Sequence, residues 1–161
     1  MSKSITAARF TMRRITSGDI PDLLRIAKDC GLSPWSENDY IEEAKRADAT
    51  MICLESAAPE TIGFLVGRRV LNSRRTKGYD AELYNIGVKA GFRKQGCGGM
   101  LLNRFLDICR NDVVQSVWLD VRSSNKNAIQ FYKNFGFTEY TVRNRFYSDP
   151  EEDGIVMRLN M

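Results

Sequence analysis

Apolar and polar side chains alternate from residue 10 to 15 (Phe10, Met12, then Ile15 after Arg13 and Arg14), which is the period of a strand. The period then changes. Leu23, Leu24, Ile26 and Ala27 share one helical face, with Thr16 or Ser17 as cap, Asp19 and Pro21 in the first turn, and Gly31 as the stop. Ser33-Pro34-Trp35 reads as a turn, and Ser36 followed by Asp39 resembles a capping box opening a second short helix through Tyr40, Ile41 and Ala44. Thr50–Glu55 and Thr61–Val70 are strands joined at Ala57-Ala58-Pro59-Glu60, an antiparallel hairpin. The polar and basic stretch Asn72–Gly78 is a loop, and Glu82–Val88 is a fourth strand ending in a glycine-rich turn.

Gly98–Arg110 returns to the helical period, with Leu101, Leu102, Phe105, Leu106, Ile108 and Cys109 on one broad face. Ser116–Val121 is a fifth strand. Ser124 or Asn125 caps a helix through Phe135 that buries Ala128, Ile129, Phe131, Tyr132 and Phe135, and Gly136 terminates it. Thr138–Arg143 and Ile155–Leu159 form a last antiparallel pair around a polar loop, Asn144–Gly154. The pattern predicts one α+β domain over residues 1–161, with a central mixed, mostly antiparallel sheet of about seven strands flanked by about four helices. Its strand, glycine turn, helix, strand unit should set two strands parallel and adjacent.

Composition narrows the chemistry. At 161 residues the chain has one domain's length, and no apolar run approaches the ~18 to 20 residues of a membrane span. Residues Met1 to Arg9 carry Lys3 and Arg9 but no apolar stretch of signal-peptide length, and read as a short lead-in to a cytoplasmic protein. Cys30, Cys53, Cys97 and Cys109 lack C-x-x-C spacing, so free thiols are expected and no metal site. The chain has no histidine, which excludes Ser-His-Asp and Cys-His catalysis and leaves acid–base work to carboxylate, tyrosine, cysteine, lysine or water. The net charge of +4 favours an anionic ligand, but the dense patch Arg68, Arg69, Arg74, Arg75 and Lys77 reads as a solvated hairpin edge. No aromatic interleaving or recognition helix accompanies it, so nucleic-acid binding is not expected.

The fourth strand runs into Arg93-Lys94-Gln95-Gly96-Cys97-Gly98-Gly99 and directly into a helix. Glycines let the backbone approach a ligand, and a helix N-terminus presents free amides and partial positive charge, together an anion cradle suited to a pyrophosphate. No Gly-Lys-Ser/Thr follows, so this is not a Walker loop, and the Gly-x-Gly comes too late for a dinucleotide fingerprint.

Arg93-x-x-Gly96-x-Gly98, followed by Asn125, Ala128, Tyr132, Gly136 and Phe137 at the spacing Asn-x-x-Ala-x-x-x-Tyr-x-x-x-Gly-Phe, resembles the GNAT superfamily of acetyltransferases. The resemblance is closest to the bacterial ribosomal-protein-alanine N-acetyltransferases (RimI type). It is carried by Trp118-Leu119-Asp120-Val121-Arg122, by Asn85-Ile86-Gly87-Val88, by Arg143-Asn144-Arg145-Phe146-Tyr147, by Asp153-Gly154-Ile155-Val156-Met157 and by Pro34-Trp35-Ser36. It is dense from residue 82 to 158 and sparse before that. Asp120 stands where that family carries glutamate.

The resemblance implies an enzyme that transfers acetyl from acetyl-CoA, used as co-substrate without a metal, to a protein or peptide N-terminus, a ribosomal protein among the candidates. It implies a splay between the fourth and fifth strands that takes the pantetheine near Ile86, Gly87 and Val88, with Asn125 on the pantetheine arm. The pyrophosphate would rest on Lys94 to Gly99, with Arg93 adding charge. It places Tyr132 near the sulfur as acid and Asp120 as base, with the amide around Val88 as oxyanion donor. Residue by residue, alternatives stand beside this. Tyr132 could be core, Asp120 could pair with Arg122 on its own strand face, and Glu82 competes as base. A small-molecule amine is the alternative acceptor, and a non-catalytic acyl-CoA-binding module the alternative class.

Overall fold

The computed structural model describes residues 9–72 and 78–161. The basic residues Arg74, Arg75 and Lys77, most of the expected Asn72–Gly78 loop, and the lead-in before Arg9 lie outside the described residues. The strands are β1 (Phe10–Arg14), β2 (Ala49–Ser56), β3 (Thr61–Leu71), β4 (Tyr79–Val88), β5 (Val114–Arg122), β6 (Thr138–Ser148) and β7 (Glu151–Asn160). They form one mixed sheet in the order β1-β2-β3-β4-β5-β7-β6, with helices α1 (Ile20–Asp29), α2 (Glu37–Ala44), α3 (Cys97–Asn111) and α4 (Lys126–Asn134). Two compact units divide the chain, one of residues 1–66 and 85–106, the other of 67–84 and 107–161. Strand β4 contributes residues to both.

In the first unit β1 pairs antiparallel with β2, Phe10 opposite Ser56 and Arg14 opposite Ile52. Asp19, at the N-cap of α1, fixes the turn out of β1. Its carboxylate takes both Arg13 Nη atoms at 2.8 Å, the Thr16 amide and hydroxyl at 2.8 and 2.9 Å, and the Thr61 hydroxyl at 3.0 Å. These donors, Arg13 foremost, hold its pKa far below the ordinary aspartate value. The Ser36–Asp39 capping box forms as expected: Asp39 N donates to Ser36 Oγ at 3.2 Å, and the Ser36 amide donates to Asp39 Oδ2 at 2.6 Å. Tyr40 and Phe64 meet edge to face in the core, and Gly31 takes the positive φ of 64° at the end of α1.

In the second unit the expected parallel pair is present. Tyr79, Ala81 and Glu82 of β4 lie opposite Val114, Val117 and Trp118 of β5. Strand β4 begins at Tyr79, three residues before the expected Glu82. Strand β7 then pairs antiparallel with β5, Asp120 opposite Val156, and with β6 on its other side. Asn125 is the cap of α4, its Oδ1 accepting from Ala128 N at 3.1 Å, and Gly136 terminates that helix at φ 91°.

One expectation fails. The polar stretch Asn144–Gly154 is not a loop, because β6 continues to Ser148 and β7 starts at Glu151. Strand β6 ends the sheet and all but Tyr147 of its residues are exposed, so burial imposes no apolar–polar alternation by which the sequence would show it. Its irregular register between Arg143 and Tyr147, with Arg145 at φ 52°, masks the strand further.

Candidate active site

The glycine turn belongs to the first unit. A short 3-10 turn, Ala90–Phe92, leads into Arg93, then Lys94 and Gly96 take positive φ of 58° and 82° before α3 starts at Cys97. Met100 N closes the first helical bond onto the Gly96 carbonyl at 2.9 Å, so the amides of Cys97, Gly98 and Gly99 fall in the first turn, where an α-helix has no carbonyl of its own to offer them. A Cβ placed on Gly96 meets nothing within 4 Å, so the turn opens onto free space. That space, the glycine backbone and the exposed Lys94 fit the diphosphate of a coenzyme A. Gln95 braces the turn: its Nε2 donates to the Gly91 carbonyl at 3.0 Å and its Oε1 accepts from Arg9 at 2.6 Å.

Arg93 does more than supply charge. Its Nε donates to the Val88 carbonyl at 2.9 Å and an Nη donates to Cys30 Sγ at 3.3 Å, tying the turn to the end of β4. Gly87 has a packing reason of its own, since a Cβ there would come within 3.0 Å of Ile26 and 3.3 Å of Cys30 and Leu32. Ile86 alternates with it on the other face of β4. Cys97 is buried, and desolvation raises its pKa against a small opposing effect of Arg9, so the thiol is a packing group and not a nucleophile.

The two candidate bases lie in the second unit. A cavity of about 600 Å³ is lined from β4 by Asp80, Glu82 and Tyr84, from β5 by Trp118 and Asp120, and from β6 by Tyr140 and Arg143. Sequence reading brought Glu82 and Asp120 forward separately; the fold brings them to one wall. Trp118 Nε1 donates to Asp80 Oδ2 at 2.9 Å, and the indole meets Tyr140 edge to face at 4.9 Å. Tyr84 donates to Glu82 Oε2 at 2.6 Å.

Asp120 is held differently. Its side chain is 31% exposed, its contact with a described residue is an ion pair, Arg143 Nε to Oδ1 at 3.4 Å, and it accepts no hydrogen bond from a described residue. Burial raises its pKa above the ordinary aspartate value, Arg143 opposes that rise, and Glu82 adds to it. Arg122, the alternative partner, is engaged elsewhere. It pairs with Glu152 at 3.3 Å, donates to the Asp149 and Pro150 carbonyls, and lies 4.3 Å from the Tyr147 ring centroid.

Tyr132 lies on the buried face of α4 against Phe131 and Phe137. Burial, with a lesser contribution from Tyr147, pushes its pKa well above that of a free phenol. Tyr147 itself is pushed up to about 12, by burial first and then by Asp120. It therefore lies within electrostatic reach of both candidate catalytic groups. Arg143, Tyr147 and Tyr84 are the residues sequence reading did not single out for a role. Arg143 and Tyr147 entered only within the Arg143–Tyr147 motif of the resemblance, without a role, and Tyr84 left a local signal, two residues from Glu82 on the same strand face.

The chain belongs to the GNAT family of acetyltransferases, whose family model matches residues 20–137. It is therefore an acetyl-CoA-dependent enzyme by membership. Within that family it is similar to the ribosomal protein bS18-alanine N-acetyltransferase of Salmonella typhimurium, 30% identical over 151 residues that cover 92% of this chain and 96% of the relative. Among solved structures it is similar to the ribosomal-protein-S18-alanine N-acetyltransferase of Escherichia coli, with a TM-score of 0.80, 29% identity, and 94% and 93% of the two chains covered. Ard1 from Thermoplasma volcanium superposes with a TM-score of 0.84 at 26% identity over 96% of this chain and 99% of that one.

Proposed function

We propose that this enzyme transfers acetyl from acetyl-CoA to the α-amine of a protein N-terminus, with Asp120 as base and Tyr132 as acid. The observation that carries the reading is the Asp120 carboxylate, which faces a cavity with its lone pairs free of hydrogen bonds from described residues. An α-amine of pKa ~7.7 to 8 is about 10 to 20% neutral at pH 7, so a carboxylate base such as Asp120, directly or through one water, completes its deprotonation. A lysine amine near pKa ~10.4 would ask far more of it. Asp120 is shorter than the glutamate of the RimI-type pattern by one methylene, which favours the route through water. Tyr132, kept protonated by burial, supplies the proton that the departing thiolate needs and regains it from solvent.

On the coenzyme side, the amides of Lys94 to Gly99 hold the diphosphate, Arg93 fixes the turn's shape, and the β4 backbone from Ile86 to Val88 takes the pantetheine. Asn125 is assigned to the pantetheine arm; its Oδ1 caps α4, and its Nδ2 makes no hydrogen bond to a described residue. Relatives named for ribosomal protein bS18 make a ribosomal protein the first acceptor to try, and an acceptor of that kind supports a cytoplasmic setting.

The test uses peptides that each contain one lysine, with free and with blocked N-termini. Mass spectrometry after incubation with acetyl-CoA is expected to locate the label on the α-amine. Equal labelling of the blocked peptide overturns the assignment.

A further inference from the structure

The charges around Asp120 come from two strands, β4 and β6. From β4 it faces Glu82, a like charge; from β6 it faces Arg143 and the phenol of Tyr147. Strand β7 sets the uncharged Val156 opposite it, and on β5 itself Arg122 is spent on Glu152 and the turn carbonyls. Arg143 is thus the cation that offsets both desolvation and Glu82. Its guanidinium approaches Asp120 at 3.4 Å by an ion pair that lacks hydrogen-bond alignment, and it also lies 5.2 Å from the Phe146 ring centroid. A cation in that position supports the charge of a carboxylate without occupying its lone pairs.

We propose that Arg143 is a positioning residue for acetyl transfer, holding Asp120 ionised and its oxygens free for the acceptor amine or its water. The inference rests on the reading of Asp120 as base. It gives a carboxylate that shares a cavity wall with a second carboxylate its counter-charge, and it gives a catalytic consequence to a residue on an exposed edge strand.

The experiment compares the pH dependence of kcat/KM for the wild type with Arg143→Ala, Arg143→Gln, Arg143→Lys and Asp120→Asn. Because the amine's own ionisation is common to all, the quantity read is the ratio of variant to wild type. For Arg143→Ala and Arg143→Gln that ratio should stay within about twofold at the alkaline end and fall to about one-tenth at the acid end. That corresponds to one pH unit, the low end for loss of an opposite charge, because Arg143 is half exposed. Arg143→Lys should recover most of the loss, and KM for acetyl-CoA should not move. A ratio that is flat with pH overturns the proposal, as does a lysine variant no better than alanine. Asp120→Asn separates the two readings: wild-type activity there removes the base assignment itself, whereas a disabled Asp120→Asn beside a flat Arg143→Ala ratio removes this inference alone.

Discussion

Tyr84 donates its phenolic hydrogen to Glu82 Oε2 across 2.6 Å, and the two stand two residues apart on one face of β4. This bond separates the two carboxylates of the cavity by role. Glu82 has one oxygen committed to a neutral donor, whereas Asp120 has none committed to a hydrogen bond from a described residue. Glu82→Gln is therefore expected to cost at most about tenfold in kcat/KM near neutral pH, against ~10² or more for Asp120→Asn. It should also remove the like charge that raises the Asp120 pKa, so its activity relative to wild type should improve as pH falls. Steady-state kinetics on one peptide across the pH range checks both statements. A larger loss in Glu82→Gln than in Asp120→Asn would transfer the base role to Glu82.

Tyr132→Phe removes one oxygen from a buried aromatic cluster that otherwise stays intact. The expected result is a kcat lowered by ~10², with acetyl-CoA affinity and Tm close to wild type, the scale of one lost general acid. Because burial holds the phenol's pKa high, the wild type should show no alkaline loss from Tyr132 up to about pH 9. An unchanged kcat under saturating substrate would return Tyr132 to the core.

Gly96 combines φ 82° with open space beside its α-carbon. The conformation disfavours any side chain, by about 1 to 2 kcal/mol for alanine, while the space makes no steric objection. Asparagine tolerates this conformation, so Gly96→Asn serves as the neutral control for Gly96→Asp. Calorimetry should show acetyl-CoA affinity falling at least about tenfold further in the aspartate variant than in the asparagine one, as a carboxylate beside a diphosphate requires. Equal affinities would place the diphosphate elsewhere.

Features encoded within a few residues were legible in the sequence. The Ser36–Asp39 box, the stops at Gly31 and Gly136, and the parallel β4–β5 unit each follow from local spacing, and each stands in the structure. The glycine turn was legible for the same reason. The partner of Asp120 was not. Strand neighbours at i and i+2 suggested Arg122, yet the charge comes from Arg143, twenty-three residues away on β6, a strand too exposed to carry an apolar period. Arg122 could not be excluded from that role without knowing that the β6–β7 turn brings the carbonyls of Asp149 and Pro150 to it. Side chains that meet through an edge strand leave little trace in a single sequence.

The raised pKa of Asp120 has a consequence for stability as well as for rate. A carboxyl whose folded-state pKa exceeds its unfolded value binds its proton more tightly when folded, so the folded state loses stability as pH rises through that window. The charged form that catalysis needs is thus the form the fold tolerates less well. Asparagine has the same shape and no charge, so Asp120→Asn should raise Tm at about pH 8, and the gain should shrink as pH falls below the folded-state pKa and the wild-type aspartate becomes protonated. Loss of the ion pair to Arg143 works against the gain but is small, because a half-exposed pair contributes only about 0 to 1 kcal/mol. Thermal denaturation of both proteins from about pH 4 to 8 measures the difference. A variant that is less stable than wild type at pH 8, by an amount that grows with pH, would mean that Arg143 outweighs desolvation and that Asp120 is a structural anchor first.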